Sequence, residues 1–153
     1  MATSTPWTVN NFHENLKSPD KQYQVMIKTC KQFEMGSPWQ VDYYLQNTAN
    51  NQEILISDLA AAPLLWNQTS NYFVFAQWYK KATSNFNHYW FQRLCLFDIA
   101  NMEKIIFKEQ FEIVQLERFN TYVIKGVDVP KDKYFSFNVF SNEVYLTEKL
   151  KLA

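Results

Sequence analysis

The sequence predicts an all-β protein, an antiparallel two-sheet sandwich or blade-like meander of about eight to ten strands with a short N-terminal helix. Three observations carry this. Apolar and polar residues alternate with period two through most of the chain, and polar turns rich in Asn, Ser and Asp separate the alternating runs. A polar turn, a tyrosine and a strand pattern also recur together at Tyr23, Tyr72 and Tyr122. A period of about fifty residues is the mark of repeated supersecondary units, none able to bury its apolar face alone.

Taken in order, Asn11-Phe12-His13-Glu14 has the form of a capping box, and predicts a helix of one or two turns ending before Pro19. From Gln22 to Met35, Tyr23, Val25, Ile27, Phe33 and Met35 are apolar while Gln22, Gln24, Lys28, Gln32 and Glu34 are polar. That predicts one long strand, or two joined at a bulge. Gly36-Ser37-Pro38 turns the chain into a second strand in which Trp39, Val41, Tyr43 and Leu45 alternate with polar partners. After a polar loop, Glu53 to Leu59 reads as a third strand, ended by Ala60-Ala61-Ala62-Pro63 with a helical turn. Strands follow at Tyr72 to Lys80, His88 to Asp98, roughly Lys104 to Gln115, Thr121 to Val127, Tyr134 to Phe140 and Glu143 to Leu150. The stretch from Glu103 to Phe119 also fits a helix, since Phe107, Phe111 and Val114 would stack on one helical face. The odd parity of Ile105, Phe107, Phe111 and Ile113 favours strand.

The 153 residues fit one domain, 1–153, able to bury roughly two thirds of its unfolded surface. Three blade-like units are too few for a closed propeller. Two packed sheets with the 27 aromatics between them (5 Trp, 9 Tyr and 13 Phe) are the expected arrangement. Net charge is zero, with 15 basic and 15 acidic residues and no block of either sign, which argues against a nucleic-acid partner. The N-terminus lacks a basic segment followed by an apolar one, and no apolar run approaches a membrane span, so a cytoplasmic protein without membrane contact is expected. Cys30 and Cys95 both fall in apolar strand patterns as small hydrophobes, with a disulfide between them left open.

Catalytic constellations are sparse. Gly36 and Gly126 are the only glycines, so no phosphate-cradling loop can be drawn. His13 and His88 lack metal-ligand spacing, and Asp98 lies about 33 Å along an extended strand from His88. Cys95 has core-like neighbours, and burial makes a thiol inert. Glu109, Glu112 and Glu117 read as the solvent face of a strand. A protein without catalytic residues, cofactor or metal is therefore expected.

The segment Trp78 to Phe91 stands out. Trp78 with Tyr79, and Tyr89 with Trp90, load both faces of one hairpin with aromatics, since successive strand residues point to opposite sides. Either the hairpin is central and buried on both faces, or its tip presents an exposed aromatic patch. Trp78, Tyr79, Phe86, His88, Tyr89 and Trp90 are the candidate partner-binding residues, because Trp and Tyr dominate binding hot spots.

Three phrases carry a family resemblance: Ser18-Pro19-Asp20-Lys21-Gln22-Tyr23-Gln24-Val25 followed by Glu34-Met35-Gly36-Ser37-Pro38, then Pro63-Leu64-Leu65-Trp66-Asn67-Gln68-Thr69-Ser70-Asn71-Tyr72-Phe73-Val74-Phe75 with Trp78, then Gln92-Arg93-Leu94-Cys95-Leu96-Phe97-Asp98. Over roughly residues 18 to 98 the chain resembles small all-β bacterial immunity proteins of polymorphic toxin systems. Lys21 stands where that pattern has a turn glycine, and Asn67 and Thr69 where it has Ser and Asp. The resemblance implies binding by surface complementarity to another protein, a cognate toxin. It implies that Pro19, Gly36 and Pro63 shape turns and that Tyr23, Trp66 and Tyr72 anchor the core. The competing expectation is a small-molecule carrier, a β-barrel with an aromatic-lined pocket. A filled interior would separate the two.

Overall fold

The computed structural model describes residues 16–32, 39–82 and 88–151, with the side chains of Lys31, Gln32, Trp39, Ala82 and His88 outside that description. Among the described residues eleven strands run in order: β1 (Tyr23–Met26), β2 (Cys30–Gln32), β3 (Trp39–Asn47), β4 (Glu53–Trp66), β5 (Tyr72–Ala82), β6 (His88–Asp98), β7 (Glu103–Phe107), β8 (Val114–Asn120), β9 (Val123–Asp128), β10 (Lys133–Asn138) and β11 (Val144–Lys149). They form two antiparallel sheets. The larger has the order β1-β3-β4-β5-β6-β7-β11, with β2 also on β3, and the smaller is β10-β9-β8.

The predicted all-β class with two sheets is found, with one strand more than the upper expectation. The short N-terminal helix is not borne out: no α-helix occurs among the described residues. Its capping box at Asn11–Glu14 lies outside them, and Lys17 is instead bridged to Gln24. The long first run divides at a bulge, as one of its two readings had it. Tyr23–Met26 pairs with Tyr44–Asn47 and Cys30–Gln32 with Trp39–Val41, one residue more than β3 supplies. Asp42 fills that bulge, its carboxylate accepting the Lys28 and Thr29 amides at 2.7 and 2.9 Å and the Thr29 hydroxyl at 2.8 Å.

Two expected breaks moved. Ala60–Pro63 is not a helical turn; it lies inside the 14-residue β4. The first half of β4 pairs with β3 and the second with β5, overlapping at Ala60, and the register shifts between Ala61 and Leu65 around the cis Ala62–Pro63 peptide. Ala60, Ala61 and Ala62 are all buried. Their small side chains let the sheet fold over on itself here, whereas helix propensity is decided by local sequence alone. The run expected from Lys104 to Gln115 is two strands in different sheets, β7 and β8. Phe111 makes the crossing, exchanging both backbone hydrogen bonds with Gln92 (2.7 and 2.8 Å), while Asp128 accepts the Glu112 and Ile113 amides, both at 3.1 Å.

Two cores result. Inside the coiled large sheet, Val25, Tyr43 and Leu45 meet Ala60, Leu64, Phe73, Phe75, Cys95, Phe97 and Ile106. Between the two sheets, Val74, Ala76, Trp78, Leu94, Leu96 and Phe107 meet Phe111, Leu116, Phe119, Ile124 and Phe137. Alternate residues of β5 and β6 thus serve different cores, which is why Phe73–Ala76 and Leu94–Phe97 are unbroken apolar runs. The inner core is filled by rings, with Phe73 stacked on Phe97 at 5.3 Å and Tyr43 edge-on to Phe75 at 5.4 Å. In the small sheet a Cβ on Gly126 would sit 2.6 Å from the Gln115 carbonyl oxygen and 2.8 Å from Phe135, so the ring of Phe135 occupies the space a side chain would need.

The tyrosine phrase is two equivalent turns and a different third. Ser18 N donates to Tyr23 O as Asn67 N does to Tyr72 O, both at 2.9 Å. Thr121 instead lies in a two-residue hairpin between Asn120 and Val123. Tyr23, Trp66 and Tyr72 are half-buried against the cores. Pro63 sits in a strand, and Gly36 lies outside the described residues. Cys30 is exposed, against the expectation of an apolar strand position, Cys95 is buried, and both are free.

Candidate functional site

The β5–β6 hairpin is paired through its whole length, from Tyr72↔Asp98 to Ala82↔His88. Its pleat divides the predicted binding residues between two faces. Trp78 and Trp90 turn toward the small sheet, their rings edge-on at 6.4 Å, and the Lys80 ammonium lies 5.7 Å from the Trp90 ring. Trp78 is only 2% exposed and belongs to the second core. Tyr79 and Tyr89 are on the opposite face. Phe86 and the side chain of His88 lie outside the described residues. Both readings of the hairpin therefore hold in part: its base is buried on both faces, and its Tyr89 face is open.

On that face, Tyr79 and Phe91 are directly paired and their rings stack at 5.7 Å. Tyr89 is 45% exposed, tilted against Phe91 at 6.1 Å, with the Lys81 ammonium 5.9 Å from its ring. Tyr145 reaches in from β11, 52% exposed and edge-on to Tyr79 at 6.3 Å. The register of β11 against β7 shifts between Val144 and Leu146, at this tyrosine. Arg93 lies in the middle. Its guanidinium carbon is 4.1 Å from the Tyr145 ring centre, 4.7 Å from Tyr79 and 5.1 Å from Phe91.

A polar chain leads inward from these rings. Gln77 Nε2 donates to the Tyr79 hydroxyl at 2.9 Å, Ser57 donates to Gln77 Oε1 at 2.8 Å, and the buried Lys104 ammonium donates to Gln77 Oε1 at 3.3 Å and to Ile56 O at 2.8 Å. Lys104 joins β7 to the first half of β4 across the opening of the coiled sheet. Beside it is a recess of about 400 Å³ lined by Leu55, Ser57, Asp58, Gln77, Lys104, Glu148 and Leu150. Glu148 is 3.9 Å from Lys104. Burial, above all, pushes the Tyr79 hydroxyl up to about 12, and does the same to the Cys95 thiol. Both are protonated at neutral pH, so Cys95 offers a packed thiol and no thiolate.

Of the residues that shape this face, Phe91, Arg93 and Tyr145 were not among the sequence candidates. Phe91 and Arg93 share the parity of Tyr89, a signal present in the sequence; Tyr145 is brought by a strand more than fifty positions away, for which local pattern holds no signal. Among the described residues no group of three or more His, Cys, Asp or Glu side chains can hold a metal ion, and no helix is long and apolar enough to cross a membrane. Comparison with known protein families, with curated proteins and with solved structures finds no match.

Proposed function

We propose that this chain is a non-enzymatic protein-binding module that docks through the Tyr89–Tyr145 face of the β5–β6 hairpin, and that its partner is another protein, a cognate toxin as the immunity-protein resemblance implies. The observation that carries this reading is the arrangement of two half-exposed tyrosines around an arginine held by further rings. Tyr and Arg are the residue types on which binding energy concentrates, and rings already packed against neighbours lose little freedom on docking. The ring-filled inner core weighs against the aromatic-lined carrier, because Tyr43, Phe73, Phe75 and Phe97 occupy the space an apolar ligand would take.

Copurification from the native host, followed by native mass spectrometry, tests this. A stoichiometric protein partner is expected. A tightly held small molecule with no protein partner would favour the carrier.

A further inference from the structure

We propose that Arg93 is the receptor for one acidic side chain of the partner protein, a carboxylate entering between Tyr145 and the hairpin. This rests on the protein-binding reading and names the chemistry that the partner brings. Arg93 is 8% exposed, yet among the described residues its one hydrogen bond is a long one, Nε to Lys108 O at 3.4 Å. The ion pairs among those residues use Lys28, Lys104, Lys108 and Lys131, and none involves Arg93. Rings satisfy the flat faces of a guanidinium and leave its in-plane N–H groups free. The terminal nitrogens keep an open edge to solvent, and a carboxylate arriving there matches the planar fork with two parallel bonds.

The surroundings supply the complementarity. From Leu59 to Phe97 the chain has no Asp or Glu, Lys81 shares the face of Arg93, and the acids brought by β11 are engaged elsewhere, Glu143 with Lys108 at 3.1 Å and Glu148 with Lys104 at 3.9 Å. A protein of zero net charge thus presents a cationic hairpin, rimmed by exposed rings that keep water from the pair once it forms.

Arg93 and Arg118 are the two arginines, so one serves as internal control for the other. The test follows their side-chain Nε–Hε resonances in the ¹⁵N-labelled protein as sodium acetate, sodium phosphate or sodium chloride is added at constant ionic strength. Acetate is expected to move Arg93 saturably at about tenfold lower concentration than Arg118, with phosphate and chloride weaker. Equal response of both arginines, or a phosphate response as strong as that to acetate, would overturn the proposal. With the copurified partner, Arg93→Lys should weaken binding by about tenfold or more, because charge is kept and the fork is lost. Wild-type affinity in Arg93→Lys with weakened binding in Tyr145→Ala would overturn the receptor and leave the docking face standing. Unchanged affinity in both would overturn the docking reading as well.

Discussion

Lys21 and Ser70 hold the same left-handed backbone conformation, φ 62° in each, at equivalent positions of two turns. The amide of Lys21 donates to Ser18 O at 2.9 Å and that of Ser70 to Asn67 O at 3.2 Å. The two turns also touch, Asp20 N donating to Ser70 Oγ at 3.0 Å. A repeated phrase in the sequence is thus a repeated turn in space, and the pair is joined by a side chain of one of them.

That relationship separates two substitutions. Lys21→Gly should raise stability by about 0.5–1 kcal/mol, since a left-handed residue with a Cβ is strained and glycine is not. Ser70→Gly relieves the same strain but removes the acceptor for Asp20, a bond worth about 1 kcal/mol, and should gain nothing. Urea midpoints of the two variants against wild type check the contrast.

Tyr43 is fully buried and its hydroxyl has no hydrogen-bond partner among the described residues. An unpaired hydroxyl in an apolar core opposes folding, so Tyr43→Phe should be neutral or stabilising by about 1 kcal/mol, while keeping the ring against Phe75. A loss of more than about 1 kcal/mol in denaturant unfolding would show that the hydroxyl is satisfied.

The Asp42 carboxylate in the β1–β2 bulge gives a pH dependence. Burial by itself raises its pKa, but the bonds from Thr29 and Lys28 outweigh burial and hold the carboxyl below its ordinary value. The stabilisation is therefore complete above the unfolded value of about 3.9 and is lost as pH falls through the depressed folded value. Asp42→Asn should melt well below wild type at pH 7, with the gap closing as the pH is lowered past that range. A gap of constant size across the titration would show that the charge contributes nothing.

The legible part of the fold is the part whose burial follows strand periodicity. The strand expected at His88–Asp98 is found with those bounds, because alternate residues such as Leu94 and Cys95 enter two different cores and leave an unbroken apolar run. Ala60–Pro63 misled because alanine and proline signal a break locally, whereas here their small size and shape serve a sheet that folds over itself. The crossing at Phe111 was hidden for a related reason: a residue bonded to Gln92 of a different strand keeps strand parity without continuing the strand. At the candidate site, Tyr79 and Tyr89 were found from the hairpin pattern, while Trp78 and Trp90 fell on the other face because adjacent residues cannot share one. Arg93 was not among the sequence candidates, and its place among the rings depends on Tyr145, which a distant strand brings beside it.

The docking face is tested most directly by the equilibrium dissociation constant of Tyr145→Ala for the copurified partner, set against wild type by isothermal titration calorimetry. Tyr145 is half-exposed and lies at the edge of the large sheet, so its removal should leave the melting temperature close to wild type. An affinity loss of about 2 kcal/mol or more, roughly 30-fold, is expected. An unchanged dissociation constant in a folded Tyr145→Ala protein would contradict it.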